Sequence, residues 1–271
     1  MLRADFAICN TQVNMFLLGA AWRCLAALVV LSCAPLSTGQ ESPEAPARLT
    51  LHYRAEWRLL HAGDATLVLQ RPPSPEHPLW RGDLYLRTVG LVDALHKVDN
   101  HYTVLFDRNY CAESSLLKAH EGKKRRHISV TFQHPEGKVS YLERDLVNDE
   151  IVDMKEINVP PCVHDELAAL TRLRTMPLEV GEATELPVSN GKKMASARVE
   201  AQQRQHIKTP SGVYKTIRYE AFLYDNVLYR RKGRLFIWLT DDERRLPVQI
   251  RVKLRFYIGT ITLQLEKEET T

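Results

Sequence analysis

From residue 48 onward, apolar and polar side chains alternate with a period of two, the pattern of strands that bury one face and wet the other. Leu49, Leu51, Tyr53, Ala55, Trp57 and Leu59 keep one parity, and a second run at 65–69 follows Ala62-Gly63-Asp64, which predicts a hairpin. Prolines interrupt at 72–78. Strands are then predicted at 79–89, 102–108, 111–118, 127–133 and 138–144, with His134-Pro135-Glu136-Gly137 as a turn. Residues 91–98 have room for one or two helical turns. Val159-Pro160-Pro161 ends this run and the period changes. Asp165 is placed as a helix N-cap, and Leu167, Leu170, Thr171 and Leu173 share one face at helical spacing, predicting a helix over 165–174 packed on an end or face of the sheet. Ser189-Asn190-Gly191 has the composition of a tight hairpin turn, because Asn-Gly tolerates positive φ. Further reversals fall at Thr209-Pro210-Ser211-Gly212 and Asp225-Asn226. Near the end, Val248, Ile250, Val252, Leu254, Phe256 and Ile258 form a dry face, with Gln249, Arg251, Lys253, Arg255 and Tyr257 on a wet one. Gly259 bends the chain, 260–265 resume the alternation, and the polar tail 267–271 is expected to fray. About a dozen strands and one short helix over 48–266 suit a single, mainly β domain: an antiparallel, strongly curved sheet forming a barrel or half-barrel.

The first 47 residues lack this alternation. An apolar core at 25–31 follows Arg23, a second apolar stretch covers 15–22, and the small residues Ser37 and Gly39 suit the pockets of a signal peptidase. A signal peptide over 1–39, cut after Gly39, and a spacer over 40–47 are expected, which places the mature chain in the periplasm. Met15 would serve equally as the start. A competing layout is a lipoprotein anchored through Cys33, since Val30-Leu31-Ser32-Cys33 sets a small residue before an acylatable cysteine. An uncleaved anchor ranks third, because Arg23 splits the apolar region into two segments of 8 residues, whereas a bilayer span takes about 20.

Composition narrows the picture. The 271 residues are 44% hydrophobic and 26% charged, which excludes a wholly disordered or collagen-like chain, and the net charge of +4 is too small to indicate nucleic acid as a partner. Of five cysteines, Cys9, Cys24 and Cys33 lie in the leader, which leaves Cys111 and Cys162 as one structural pair in an exported chain. A bond closing that loop stabilises by roughly 4 kcal/mol on chain-entropy grounds. There is no Gly-x-Ser-x-Gly elbow, no glycine-rich phosphate loop and no His-Glu-x-x-His helix, so no catalytic residue, metal or cofactor is expected. A hydrolase would require His and carboxylates brought together by the fold. Asp241-Asp242-Glu243, beside Arg244-Arg245, reads as a solvated turn rather than a cation site. Two basic stretches, Lys123-Lys124-Arg125-Arg126 and Arg230-Arg231-Lys232, read first as solvated strand edges and second as contacts to an anionic lipid or polysaccharide surface.

The run 236–248, Phe-Ile-Trp-Leu-Thr-Asp-Asp-Glu-Arg-Arg-Leu-Pro-Val, resembles the DUF3108 family of exported bacterial proteins, in the manner of acidobacterial members. Gly259, the helix at 165–170, Lys208-Thr209-Pro210-Ser211-Gly212, Tyr53-Arg54-Ala55-Glu56-Trp57 and Ala62-Gly63-Asp64-Ala65 extend the likeness over about 49–265. Thr171-Arg172 departs from it where relatives often have an aromatic residue. The resemblance implies an envelope β protein with no catalytic residues to carry over. The expectation is therefore an exported, non-enzymatic β protein. Trp57, Tyr85, Trp238 and Phe256 are candidates for an apolar interior, as plain core or as the lining for a hydrophobic or lipid-like ligand. The rival is an interaction module that docks a protein or polysaccharide of the envelope. A large continuous cavity points to the carrier, and a filled interior with an exposed apolar patch to the module.

Overall fold

A computed structural model describes residues 46–223, 234–253 and 259–271. Eight strands come first: β1 (Arg48–Trp57), β2 (Leu60–Gln70), β3 (Trp80–Thr88), β4 (Asp99–Phe106), β5 (Ala112–Glu121), β6 (Lys124–Gln133), β7 (Lys138–Asp145) and β8 (Glu150–Asn158), with the short helix α1 (Gly90–Leu95) between β3 and β4. Helix α2 (Glu166–Arg174) follows. Then come β9 (Ala183–Ser189), β10 (Met194–Thr209), β11 (Gly212–Leu223), β12 (Arg234–Thr240), β13 (Pro247–Lys253) and β14 (Thr260–Thr270). All pair antiparallel in one 14-stranded sheet of order β8-β7-β6-β5-β4-β3-β2-β1-β14-β13-β12-β11-β10-β9. Two sequential meanders are thus joined where β1 meets β14, and the sheet stays open, with β8 and β9 at its edges.

Three expectations are corrected by this register. The tail 267–271 does not fray: Thr270 pairs with Leu49, and Thr271 and Arg48 exchange backbone hydrogen bonds. Its side chains are polar, but the edge of β1 supplies backbone partners that polarity does not reveal. Strand β8 escapes the period-two pattern because its side chains are almost all exposed, so an edge strand has no dry face to declare itself. In β13, Val248 and Gln249 are both buried, so the anticipated wet face is covered at that end, while 254–258 lie outside the described residues.

The core forms two clusters. One gathers Leu51, Tyr53, Leu67, Val104, Phe106 and Val139 with Trp238 and Leu265, and the other gathers Leu186, Val199, Tyr219, Ile237 and Leu239. Helix α2 belongs to both, through Leu167 and Ala168 on one side and Leu173 on the other. Because successive strand side chains point to opposite faces, β12 gives Phe236 and Trp238 to the first cluster and Ile237 and Leu239 to the second. The helix begins where expected: the Asp165 carboxylate accepts from Ala168 N at 2.6 Å. It ends with Arg174 donating to the Arg245 and Arg244 carbonyls at 3.0 and 3.1 Å, which ties it to the β12–β13 turn. There Asp242 accepts from Arg244 N and Arg245 N and Arg204 reaches Asp241 at 3.0 Å, whereas the Arg244 side chain pairs with Glu268 and that of Arg245 with Met176 O. Backbone N–H groups and a distant arginine, not the turn's own guanidiniums, thus engage these carboxylates.

Two contacts fasten the open sheet. Cys111, at the start of β5, and Cys162, ahead of α2, form a disulfide with Cα atoms 5.1 Å apart. The β9–β10 turn, placed correctly at Asn190-Gly191, rests on β6 and β7. Gly191 has φ +85°, and a Cβ there would lie 2.8 Å from a Val130 methyl, so both backbone and space require glycine.

Candidate functional site

The pleat of β3 sends Gly82 and Leu84 toward the core and Arg81, Asp83, Tyr85 and Arg87 to the opposite, polar face. Cross-strand register sets Asp83 opposite Thr103 and Tyr85 opposite His101. The Asp83 carboxylate, 4% exposed, accepts from Arg81 Nε at 2.7 Å, Arg81 Nη2 at 2.9 Å and Thr103 Oγ1 at 2.7 Å, with His101 Nε2 at 2.9 Å. Burial alone would raise its pKa, but the hydrogen bonds from Arg81, Thr103 and His101 outweigh burial and hold it below the usual carboxylate range. The His101 ring stacks on Tyr85 with centroids 4.1 Å apart. The result is a rigid charged platform carrying a flat phenol ring that is 44% exposed.

Grooves flank this platform on both sides. One, of about 660 Å³, is lined by His52, Asp64, Tyr85, Arg87, Lys267 and Glu269 among others. Arg87 and His61 both hold Asp64, at 3.1 and 2.9 Å. The other, of about 420 Å³, runs past Arg81, His101, Thr103, Ser114 and Ser129. His101 Nε2 also lies 3.2 Å from Thr103 Oγ1, the hydroxyl that donates to Asp83, so acid, imidazole and hydroxyl form one closed cluster. No group of three or more His, Cys, Asp or Glu is placed to hold a metal ion among the described residues.

A second charged cluster lies at the β9–β10 turn. Glu143, 4% exposed, is paired with Arg126 and with Lys192 Nζ at 3.0 Å, and accepts from Tyr141 OH at 2.7 Å. Lys192 also reaches Asp153 at 2.8 Å and lies 4.4 Å from the Tyr141 ring centroid. Burial pushes the Glu143 carboxyl up, but Tyr141, Lys192 and Arg126 together bring it below its ordinary value. At the N-terminus of α2, Asp165 takes a 2.5 Å hydrogen bond from Tyr102 OH, and Glu166 stands beside it.

The residues anticipated from sequence are scattered. Trp238 is 3% exposed and belongs to the first core cluster, with the Arg251 guanidinium 5.0 Å from its ring centroid. Trp57 is half-buried, with Arg58 against its ring. Tyr85 is not interior: it shares the parity of Asp83 and Arg87 and lies on the polar face, because only the other parity of β3 meets the core. Phe256, Arg230, Arg231 and Lys232 lie outside the described residues. Lys123, Lys124 and Arg125 are exposed around the β5–β6 turn, whereas Arg126 is taken up by Glu143 and is not a free basic contact. The Asp83–His101 and Glu143–Lys192 groups went unrecognised in sequence. Arg81-x-Asp83-x-Tyr85-x-Arg87 was the visible sign of the first, four charged or aromatic side chains at strand period.

Comparison with known proteins adds a family and a fold. The family described as a protein of unknown function, DUF3108, matches residues 52–266. No curated protein matches the chain. Among solved structures it is similar to a β-barrel-like protein of the domain of unknown function DUF1849 from Brucella abortus, with a TM-score of 0.56 at 8% identity, over 84% of this chain and 99% of that one. At that identity the likeness concerns the fold alone. No helix among the described residues is long and apolar enough to cross a membrane.

Proposed function

This chain belongs to the DUF3108 family, and we propose that it is an exported, non-enzymatic β protein of the cell envelope that docks an envelope polysaccharide on the polar face of β14-β1-β2-β3. Export rests on the apolar leader at 25–31 with its small residues at 37 and 39. It rests also on the Cys111–Cys162 bond, since structural disulfides persist in oxidising compartments.

The observation that carries the docking reading is the Tyr85–His101 stack on its Asp83 support. An exposed flat ring fixed from below, between grooves that present Arg87, Asp64 and Lys267, suits a partner that offers an apolar ring face together with many hydroxyls. The interior supports this choice over a lipid carrier. Leu51, Val104 and Phe106 are fully buried against one another and α2 occupies the space between the two clusters, while both described grooves have charged linings. The mature chain is expected to co-sediment with purified peptidoglycan sacculi. Tyr85→Ala should reduce that retention roughly tenfold without altering thermal stability, because the ring contributes little to the core. Saturable binding of a fluorescent fatty acid, with no retention on sacculi, would overturn the docking reading in favour of the carrier.

A further inference from the structure

We infer that the same sheet carries a second, separate site further along, on β1, β12 and β13, that binds a phosphate-type oxyanion. Register defines its floor. Trp238 pairs with Gln249, Gln249 with Gln264, and Gln264 with Arg54, so these four side chains form one row across β12, β13, β14 and β1 on one face. In that row the Trp238 indole N–H, the Gln249 amide NH₂ and the Arg54 Nε–H are buried and have no hydrogen-bond partner. Trp238 and Gln249 are 3% and 4% exposed. Native structures leave few buried donors unpaired, and three on one row all lack the same thing, an acceptor.

Charge leads to the same ligand. Along β13, side chains of this parity grow more buried in the order Lys253, Arg251, Gln249, from exposed through half-buried to buried. Lys253 lies 5.4 Å from the Phe236 ring centroid and Arg251 5.0 Å from that of Trp238, so two cations are held on aromatic faces above the buried donors. Neither they nor Arg54 has a carboxylate within ion-pair range among the described residues. The acids of this face are already engaged: Glu220 by Arg234 at 2.6 Å and Gln202 at 2.7 Å, Glu56 by Gln264 at 2.8 Å, and Asp64 by Arg87 and His61. Cations without counter-ions among the described residues at the rim, and N–H groups without acceptors behind them, make a site for a tetrahedral, multiply charged oxyanion.

Two sources present that chemistry, a soluble phosphate ester or a lipid headgroup, and the test separates them. In a Trp57→Phe/Trp80→Phe background, Trp238 is the only tryptophan outside the leader and reports directly on the site. Inorganic pyrophosphate should change its fluorescence saturably and raise the melting temperature of the unmodified mature chain. Arg251→Met should weaken binding roughly tenfold, the loss of one charge-assisted contact, and Arg54→Met should do the same. Both variants should remain folded, since neither guanidinium is ion-paired. Co-sedimentation with phosphatidylglycerol vesicles but not phosphatidylcholine vesicles, competed by pyrophosphate, would identify the headgroup as the source, and pyrophosphate binding without vesicle binding would identify the soluble ester. Absence of a saturable response to pyrophosphate, or an equal response in Arg251→Met, overturns the site. Because Arg251 lies on β13, outside the docking strands, whereas Arg54 pairs with Asp64 of the docking groove, retention of Arg251→Met on sacculi reads the docking proposal independently.

Discussion

The open sheet is fastened at the β9–β10 turn and at the foot of α2, and buried carboxylates stand at both places in opposite company. Glu143 is surrounded by Lys192, Arg126 and the Tyr141 hydroxyl. Asp165 and Glu166 have a phenol and backbone N–H groups but no cation within ion-pair range among the described residues. Burial disfavours the charged form at both sites. Where cations repay that cost, the Glu143 pKa falls; where they do not, those of Asp165 and Glu166 rise. One fastening is therefore an ion cluster that weakens in acid. The other is a helix cap strongest when the pair carries a proton, and it relies on the neighbouring disulfide for strength.

The largest effect is expected from that disulfide. Replacing Cys111 and Cys162 by Ser should cost roughly 4 kcal/mol in urea unfolding, as the bond closes a loop of 51 residues. A loss below about 1 kcal/mol would mean that α2 is held by packing alone, and the contrast between a covalent and an ionic fastening would disappear. Next comes Glu143→Gln, which leaves Arg126 and Lys192 facing a neutral amide. Lys192 keeps Asp153 and both cations are partly solvated, so a loss of about 2 kcal/mol at neutral pH is expected. The sign of its pH dependence follows from the lowered folded pKa. The Glu143 contribution is present above the ordinary value of 4.5 and is lost as pH falls through the folded one. The difference in stability between the parent and Glu143→Gln should therefore shrink on acidification, and a difference that stays constant to about pH 3 would remove the ionic account.

How much of this was legible in the sequence depends on which face a residue serves. The dry faces announced themselves: Leu49, Leu51 and Tyr53 in β1, and Leu167 and Leu173 in α2. Asp165 was recognisable as an N-cap because capping is a local bond, spanning three residues to Ala168. The Cys111–Cys162 pair followed from elimination, as the two cysteines beyond residue 47. Glu143 and Lys192 were not legible, because they meet only after the second meander folds onto the first, 49 positions apart in sequence. Tyr85 was misplaced for a related reason. An aromatic residue in a strand was assigned to the core by its type, but its parity matches Asp83 and Arg87, and parity decides the face. Strand β8 and the end of β14 were missed because backbone pairing, which any sequence supplies, holds them in place.

The smallest effect tests the helix side of the comparison. Burial first, then the Asp165 carboxylate, raises the Glu166 pKa above 4.5, and burial raises that of Asp165 above 3.8 despite the bonds from Tyr102 and Ala168. The folded chain then binds more protons than the unfolded one between those values and the raised folded ones. Stability from this pair is accordingly full below the unfolded values and declines as pH rises through the folded ones. Glu166→Gln retains the shape and removes the second charge, so the loss that Glu166 adds disappears while Asp165, raised by its own burial, still titrates. Melting curves between about pH 5 and about pH 9 should show the parent losing on the order of 1 kcal/mol that the variant keeps. If the two curves run parallel across that range, an unseen cation compensates Glu166 and the two fastenings are electrostatically alike. If the parent declines more steeply than the variant, the same sheet is held by one carboxylate site that weakens in acid and one that weakens in base, with greatest stability between them.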